Sequence, residues 1–239
     1  LPLVSWARRC VIRDSSYTYA TLRNEIITND KPNATENDLV FDNYAVERFR
    51  LNDDPIMYPS IDWRRYLLNK TSVQTQHNLN ISGGTKDIRY FISLGFLYQN
   101  GLLKQFEGVG YDNNYKYKRY NYRANLDFDA TKTTTLKIGI GGIVGNRNEP
   151  MINDATNSIW TLINQTTPFS SPGVIDGKLI VTPEERFDNK INLGNSALPK
   201  CYGTGYSTAI NNTMNLDLLL NQKLDFITKG LSAEIKGAY

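Results

Sequence analysis

The chain of 239 residues holds one histidine, His77, two cysteines, Cys10 and Cys201, and three methionines. With no CxxC pair and no Cys/His cluster, neither a zinc site nor a disulfide framework is expected, and a single bridge between the two cysteines stays open. No run approaches the roughly 20 consecutive apolar residues of a membrane-spanning helix, which excludes a helical membrane protein. Charge of one sign is also scarce: 27 basic against 24 acidic residues leave +3, too little and too dispersed for a nucleic-acid partner. Lys116, Lys118, Arg119 and Arg123 interleave with tyrosines as a single-strand stacking platform would, yet no RNP, KH or OB-type signature accompanies them. A catalytic constellation is missing too. Glu184 and Glu185 follow a proline and read as a solvated turn, and His77 lacks any partner at metal spacing. No enzyme activity, cofactor or metal is expected.

What is abundant is tyrosine, at 15 residues, and period-two alternation, which puts successive side chains on opposite faces of a strand. Six strands are predicted: Val73 to Ser82, Ile88 to Gln99, Arg119 to Asp129, Thr135 to Val144, Ile210 to Leu224, and one beginning at Leu231. The third alternates most cleanly, with Tyr120, Tyr122, Ala124, Leu126 and Phe128 against Arg119, Asn121, Arg123, Asn125 and Asp127. A whole face of arginine, asparagine and aspartate suits a wet lumen. The glycines of the fourth strand miss GxGxxG, because Val144 stands at the third glycine and no helix follows, so close backbone approach explains them better. Predicted lengths of about 10 to 15 residues exceed the soluble mode and suit tilted bilayer-crossing strands.

Short and long connections alternate. Gly83 to Asp87, Ala130 to Thr134 and Asp225 to Gly230 are tight, whereas Asn100 to Lys118 and Gly145 to Ser207 are long. Outer-membrane barrels have this asymmetry. A secreted all-β carbohydrate-binding module, the soluble alternative, has no reason to gather its long loops at one end. Residues 1–70 do not alternate. Ser15 or Ser16 is expected to cap a helix carrying Tyr19, Leu22, Ile26 and Ile27, and a second helix is expected around Tyr44, Val46 and Phe49. This stretch reads as an external, partly helical segment ahead of the strands in 71–239, too short to bury much core of its own. A short helix is expected over Ser158 to Gln165, folded against the lumen mouth.

Three runs, Tyr17 to Glu25 (YTYATLRNE), Phe49 to Trp63 (FRLNDDPIMYPSIDW) and His77 to Lys104 (HNLNISGGTKDIRYFISLGFLYQNGLLK), resemble SusC/RagA-type TonB-dependent outer-membrane transporters. Tyr120 to Asp127 and Leu224 to Leu231 (LDFITKGL) extend the resemblance, while residues 1–16 match poorly and Ser60-Ile61 replaces the usual Asn-Thr. The resemblance implies an all-β chain: about six strands of an antiparallel transmembrane barrel of about 22 strands, taken from its first half, with plug domain and remaining strands outside it. It further implies import of an oligosaccharide or peptide, contact with outer-membrane lipid, delivery by a SusD-like lipoprotein, and TonB acting through the plug. On this view Arg119, Asn121, Arg123, Asn125 and Asp127 face the lumen and dock the plug. The loop aromatics Tyr98, Phe106, Tyr111, Trp160, Phe169, Tyr202 and Tyr206 are candidates for ligand or partner contact, with Tyr111, Trp160, Tyr202 and Tyr206 foremost. A non-transporting barrel or adhesin is the remaining alternative, suggested by the terminal aromatic Tyr239 and opposed by the internal-turn match at Leu224 to Leu231.

Overall fold

The computed structural model describes residues 15–152, 158–182 and 196–239. Cys10, Glu184 and Glu185 fall outside the described residues. The chain divides into two compact units, one formed by Ser72–Gly101, Tyr115–Asn148 and Thr208–Tyr239, the other by Leu1–Thr71, Leu102–Asn114 and Glu149–Ser207.

The first unit is built on an antiparallel sheet of six strands: β1 (Gln74–Gly84), β2 (Ile88–Asn100), β3 (Lys116–Asp129), β4 (Thr134–Pro150), β7 (Tyr206–Lys223) and β8 (Ser232–Ala238), paired in that order. Every predicted strand is present. Three are longer than their alternation suggested: β3 begins at Lys116, β4 runs on to Pro150 and β7 starts at Tyr206. Their extra residues, such as Asn146, Arg147 and Asn148 opposite Lys118, Tyr117 and Lys116, are polar on both faces. Ladder hydrogen bonds carry them where hydrophobic periodicity is silent. Three tight connections close one end of the sheet. In the β7–β8 turn the Gly230 amide donates to Asp225 Oδ1 at 2.7 Å, with Gly230 at φ 84°.

The register sorts the side chains into two faces. One carries Leu79 and Ile81, then Tyr90, Ile92 and Leu94, then Tyr120, Leu126 and Phe128, continuing through Ile140, Met214, Leu218, Leu220 and Ile235. These residues are exposed: Leu94 is 48% and Ile235 70% accessible. A soluble sandwich would cover such a face with a second sheet. The other sheet among the described residues, β5 (Gly173–Ile175) with β6 (Lys178–Ile180), is two strands of three residues and belongs to the other unit. An exposed apolar sheet face of this extent marks an interaction surface.

Glycine placement explains some of the tyrosine. Tyr90 lies over Gly83 directly across the β1–β2 pair, and Tyr122 lies over Gly142 across β3–β4. A Cβ at Gly142 would stand 2.5 Å from the Thr213 carbonyl oxygen and 2.5 Å from Tyr122 Oη, whereas one at Gly141, on the opposite face, meets only the Tyr122 carbonyl at 3.6 Å. Gly142→Ala in the full-length protein is therefore expected to cost about 1–3 kcal/mol through overpacking, and Gly141→Ala much less. The check is the temperature at which each variant loses its heat-resistant folded band on a gel.

The second unit holds α1 (Ser16–Asp30), α2 (Asn43–Leu51), α3 (Trp63–Leu67), α4 (Ile159–Gln165), α5 (Ala197–Tyr202) and the β5–β6 hairpin. Each of the first four helices starts at a side-chain cap, Ser15, Asp42, Asp62 and Ser158, whose oxygen accepts from an otherwise orphaned amide. Both predicted N-terminal helices form. Of the apolar set on the first, Tyr19 packs inward while Ile26 is 50% exposed, and the residues that α1 buries are Ser16 and Ala20. Ser16 is drawn in by hydrogen bonds, its Oγ donating to the Pro59 carbonyl at 2.7 Å and its amide donating to Ser60 Oγ at 3.0 Å.

Residues 15–70 do not stand alone in this unit. Phe169, from the connection between β4 and β7, packs into a cluster with Ala20, Phe41 and Phe49, and Tyr19 and Tyr58 flank it. Its ring meets Phe41 at 5.3 Å and Tyr19 at 5.1 Å, both edge to face, a favoured aromatic geometry. Backbone bonds seal the join: Ile61 donates to the Pro168 carbonyl at 2.9 Å, and Trp63 Nε1 to that of Thr167 at 2.8 Å.

Candidate functional site

Two surfaces carry the residues singled out from the sequence. The first is the polar face of the sheet. Antiparallel pairing places Arg119, Asn121, Arg123, Asn125 and Asp127 of β3 on one face, opposite Leu97, Gly95, Ser93, Phe91 and Arg89 of β2. On the β4 side they meet Gly145, Ile143, Gly141, Gly139 and Lys137. The face is crowded in one half and bare in the other. Around β2 and β3, Arg119 Nε and Asn121 Oδ1 are buried and find no hydrogen-bond partner among the described residues. Buried polar atoms are nearly always satisfied, by protein or by ordered water. Along β4, Gly139 and Gly141 have no side chains to offer, and a Cβ at Gly139 would touch Asn125 Oδ1 and Asp217 Cβ only at 3.5 Å.

The bare part opens into a concavity of about 460 Å³ near the tight turns. Charged side chains from five strands converge on it: Arg89 of β2, Asp127 of β3, Lys137 of β4, Asp217 of β7 and Lys236 of β8. Arg89 Nε and Asp127 Oδ2 are paired at 3.8 Å. Of these five, the sequence pointed to Asp127 alone. The other four come from strands up to 147 residues apart, Arg89 to Lys236, and only the register brings them to one level.

The second surface is the set of aromatics from the long connections. Tyr111, Trp160, Tyr202 and Tyr206 all belong to the second unit but do not form one site. Tyr202 is 1% exposed, its hydroxyl donating to the Lys104 carbonyl at 2.7 Å and its ring edge-on to Phe106 at 5.0 Å. The expectation that it meets a ligand is therefore corrected: it is a core residue, because α5 turns it inward with Leu198 and Cys201. Tyr111 is anchored by its hydroxyl, which donates to the Tyr202 carbonyl and accepts from the Gly205 amide at 3.0 Å. Tyr206 leans on the Tyr111 ring at 6.0 Å and is half-exposed, and Trp160 projects from α4 at 52% exposure. Tyr206 and Trp160 thus keep the accessibility that a binding aromatic needs.

His77 stacks on Phe96 across the β1–β2 pair, with ring centroids 6.4 Å apart, as a structural histidine does. Among the described residues no group of three or more His, Cys, Asp and Glu side chains is placed to hold a metal ion. Cys201 is buried in α5, and burial pushes its thiol up to about 12. A thiol reacts as its thiolate, so alkylation of native Cys201 by iodoacetamide at pH 8 is expected to be slower than in the unfolded chain by at least about a hundredfold. Mass-spectrometric timing of the modification checks it. With the folded pKa above the unfolded one, this burial favours the folded state fully below the unfolded thiol pKa and ceases to do so as pH rises toward 12.

No family model matches the chain. Among curated proteins, the TonB-dependent receptor SusC of Bacteroides thetaiotaomicron is 25% identical over 171 residues, covering 66% of this chain and 16% of SusC. The chain thus spans about a sixth of the length of that relative. Among solved structures, the RagAB peptide importer in its closed-closed state gives a TM-score of 0.49 at 17% identity, over 75% of this chain and 18% of that one. The RagAB peptide transporter gives 0.47 at 18% identity, over 77% and 19%. The resemblance to SusC/RagA-type TonB-dependent transporters carried by the sequence motifs is borne out: this chain is similar to a stretch of such a protein.

Proposed function

We propose that these 239 residues are part of the barrel wall, with its external loops, of a TonB-dependent outer-membrane importer of large nutrients. The observation that carries this is the two-faced sheet: six antiparallel strands of up to 18 residues, one face apolar and exposed, the other carrying the polar rows of β1 and β3 with a few apolar residues such as Phe91 and Ile143 among them. Lipid satisfies the first face and a hydrated, protein-filled lumen the second. The similarity to SusC supports the class. The whole barrel closes with about 22 strands, and its plug occupies the lumen.

In this role the wall binds, gates and docks, and carries out no chemistry. Arg119, Asn121, Arg123, Asn125 and Asp127 hold the plug, and the unpartnered Arg119 Nε and Asn121 Oδ1 are the atoms that gain most from it. The long connections form the external face, where Tyr206 and Trp160 meet an oligosaccharide or peptide, or the SusD-like lipoprotein that delivers it. TonB acts from the periplasm through the plug.

The test is made on the full-length gene product. It is expected in the outer-membrane fraction, extractable only with detergent, co-purifying with a surface lipoprotein, and its deletion is expected to abolish growth on one complex nutrient. Recovery in the soluble fraction without detergent sinks the proposal.

A further inference from the structure

The β5–β6 hairpin is fastened at its two ends to different stretches of chain. Its tip is a two-residue turn, Asp176 at φ 49° and Gly177 at φ 71°, the conformation that so tight a hairpin demands. That tip lies backbone to backbone on Gly108 of the β2–β3 connection. A Cβ at Gly108, itself at φ 88°, would overlap the Gly177 carbonyl oxygen and Cα, and one at Gly177 would come within 3.2 Å of Gly108 Cα. Glycine at both positions permits the approach. At its base the hairpin rests against Tyr66 of α3: the Val174 amide donates to Tyr66 Oη at 2.8 Å. Thr182 then returns the chain to the aromatic core, its amide donating to the Ser170 carbonyl at 3.0 Å and its hydroxyl to the Phe169 carbonyl at 3.1 Å.

The stretch beneath the tip is closed on itself. Gln105 Nε2 donates to the Tyr111 carbonyl at 2.6 Å, so residues 105–111 form a loop with Gly108 at its middle. Tyr111 carries the next link: its hydroxyl accepts from the Gly205 amide at 3.0 Å, and its ring lies 6.0 Å from that of Tyr206. We propose that the hairpin is a strap: seated on Gly108, it holds the 105–111 loop down and, through Tyr111, braces the half-exposed Tyr206 ring. Asp176 and Lys178 beside Gly177 are exposed, and a contact between two glycine backbones buries little apolar surface. Such a contact opens at lower cost than the aromatic core at the hairpin's base, so the loop and the brace on Tyr206 loosen together when the strap lifts. That Tyr206 meets a ligand belongs to the barrel-wall reading above, and the strap does not depend on it.

Residue-resolved hydrogen exchange of the full-length protein tests this. The Val109 amide, which donates to the Phe106 carbonyl at 3.3 Å, reports on the loop, and the Gly205 amide on the brace. Gly108→Ala drives the tip off with its Cβ. Gly110→Ala, where a Cβ meets nothing within 4 Å, is the matched control. Tyr66→Phe removes the bond at the hairpin's base, keeps the ring that stacks on Phe106 at 5.2 Å, and puts no strain on residue 108. Gly108→Ala is expected to lower the protection of both amides by about tenfold or more, and Tyr66→Phe by about threefold. Gly110→Ala is expected to leave both as in the wild type. Loosening confined to the hairpin, with Val109 and Gly205 still protected in both variants, overturns the strap. A loss with Gly108→Ala that Tyr66→Phe does not share comes from strain at residue 108 and overturns it as well, as does an equal loss with Gly110→Ala. Each outcome is read apart from detergent extraction, so the strap and the barrel-wall reading fail separately.

Discussion

Leu94→Arg in the full-length protein is expected to cost about 2–4 kcal/mol, the penalty for an arginine on the lipid face near the bilayer midplane. Leu94 sits at the middle of β2, flanked on its own face by Leu79 of β1 and Tyr122 of β3, and is 48% exposed. If that exposure is to hydrocarbon, the guanidinium has no water and no partner, and assembly falls accordingly. Asn80→Arg, on the polar face one strand away opposite Ser93, is the matched control and is expected to cost under about 1 kcal/mol. Urea unfolding of the refolded protein in lipid vesicles reads both. Equal costs for the two substitutions would mean that the apolar face does not meet lipid.

Phe169→Ala is the second large effect, expected at about 3–5 kcal/mol from lost burial and the cavity left behind. Phe169 is fully buried, and its ring contacts Tyr19, Phe41 and Phe49, which come from three places in the first seventy residues. The loss falls on the cohesion of the second unit: without Phe169 the helical segment loses the hub through which the β4–β7 connection holds it. Limited trypsin digestion of the full-length protein is expected to cut after Arg23, Arg48 or Arg50 many times faster in the variant, with the fragment that carries the six-stranded sheet unchanged. Unaltered cutting would refute the hub role. Phe169→Leu, which keeps most of the volume, is expected to recover more than half of the protection.

The two units were legible to different degrees, for reasons visible in single residues. In β3 every second residue from Tyr120 to Phe128 is apolar or small, so one strand of sequence contains its own face assignment. Caps at Ser15, Asp42, Asp62 and Ser158 are local too, each bonding an amide two or three residues on. Tyr202 shows the limit. An aromatic in a long connection reads as a surface residue until α5 is seen to roll it inward, and nothing near it in the chain announces that Lys104 will take its hydroxyl. Phe169 is the same case.

What the sequence by itself determined is the strand set, the sign of each face and the resemblance to a transporter family, because alternation, turns and motifs are properties of neighbouring residues. Tertiary structure alone decided that residues of the N-terminal segment and of the β4–β7 connection share one aromatic core. It alone also decided that Arg89, Asp127, Lys137, Asp217 and Lys236 converge on one concavity. The physical reason is register. Which rung of one strand meets which rung of the next is fixed by hydrogen bonds between segments far apart in sequence, and a slip of one residue would send each side chain to the other face.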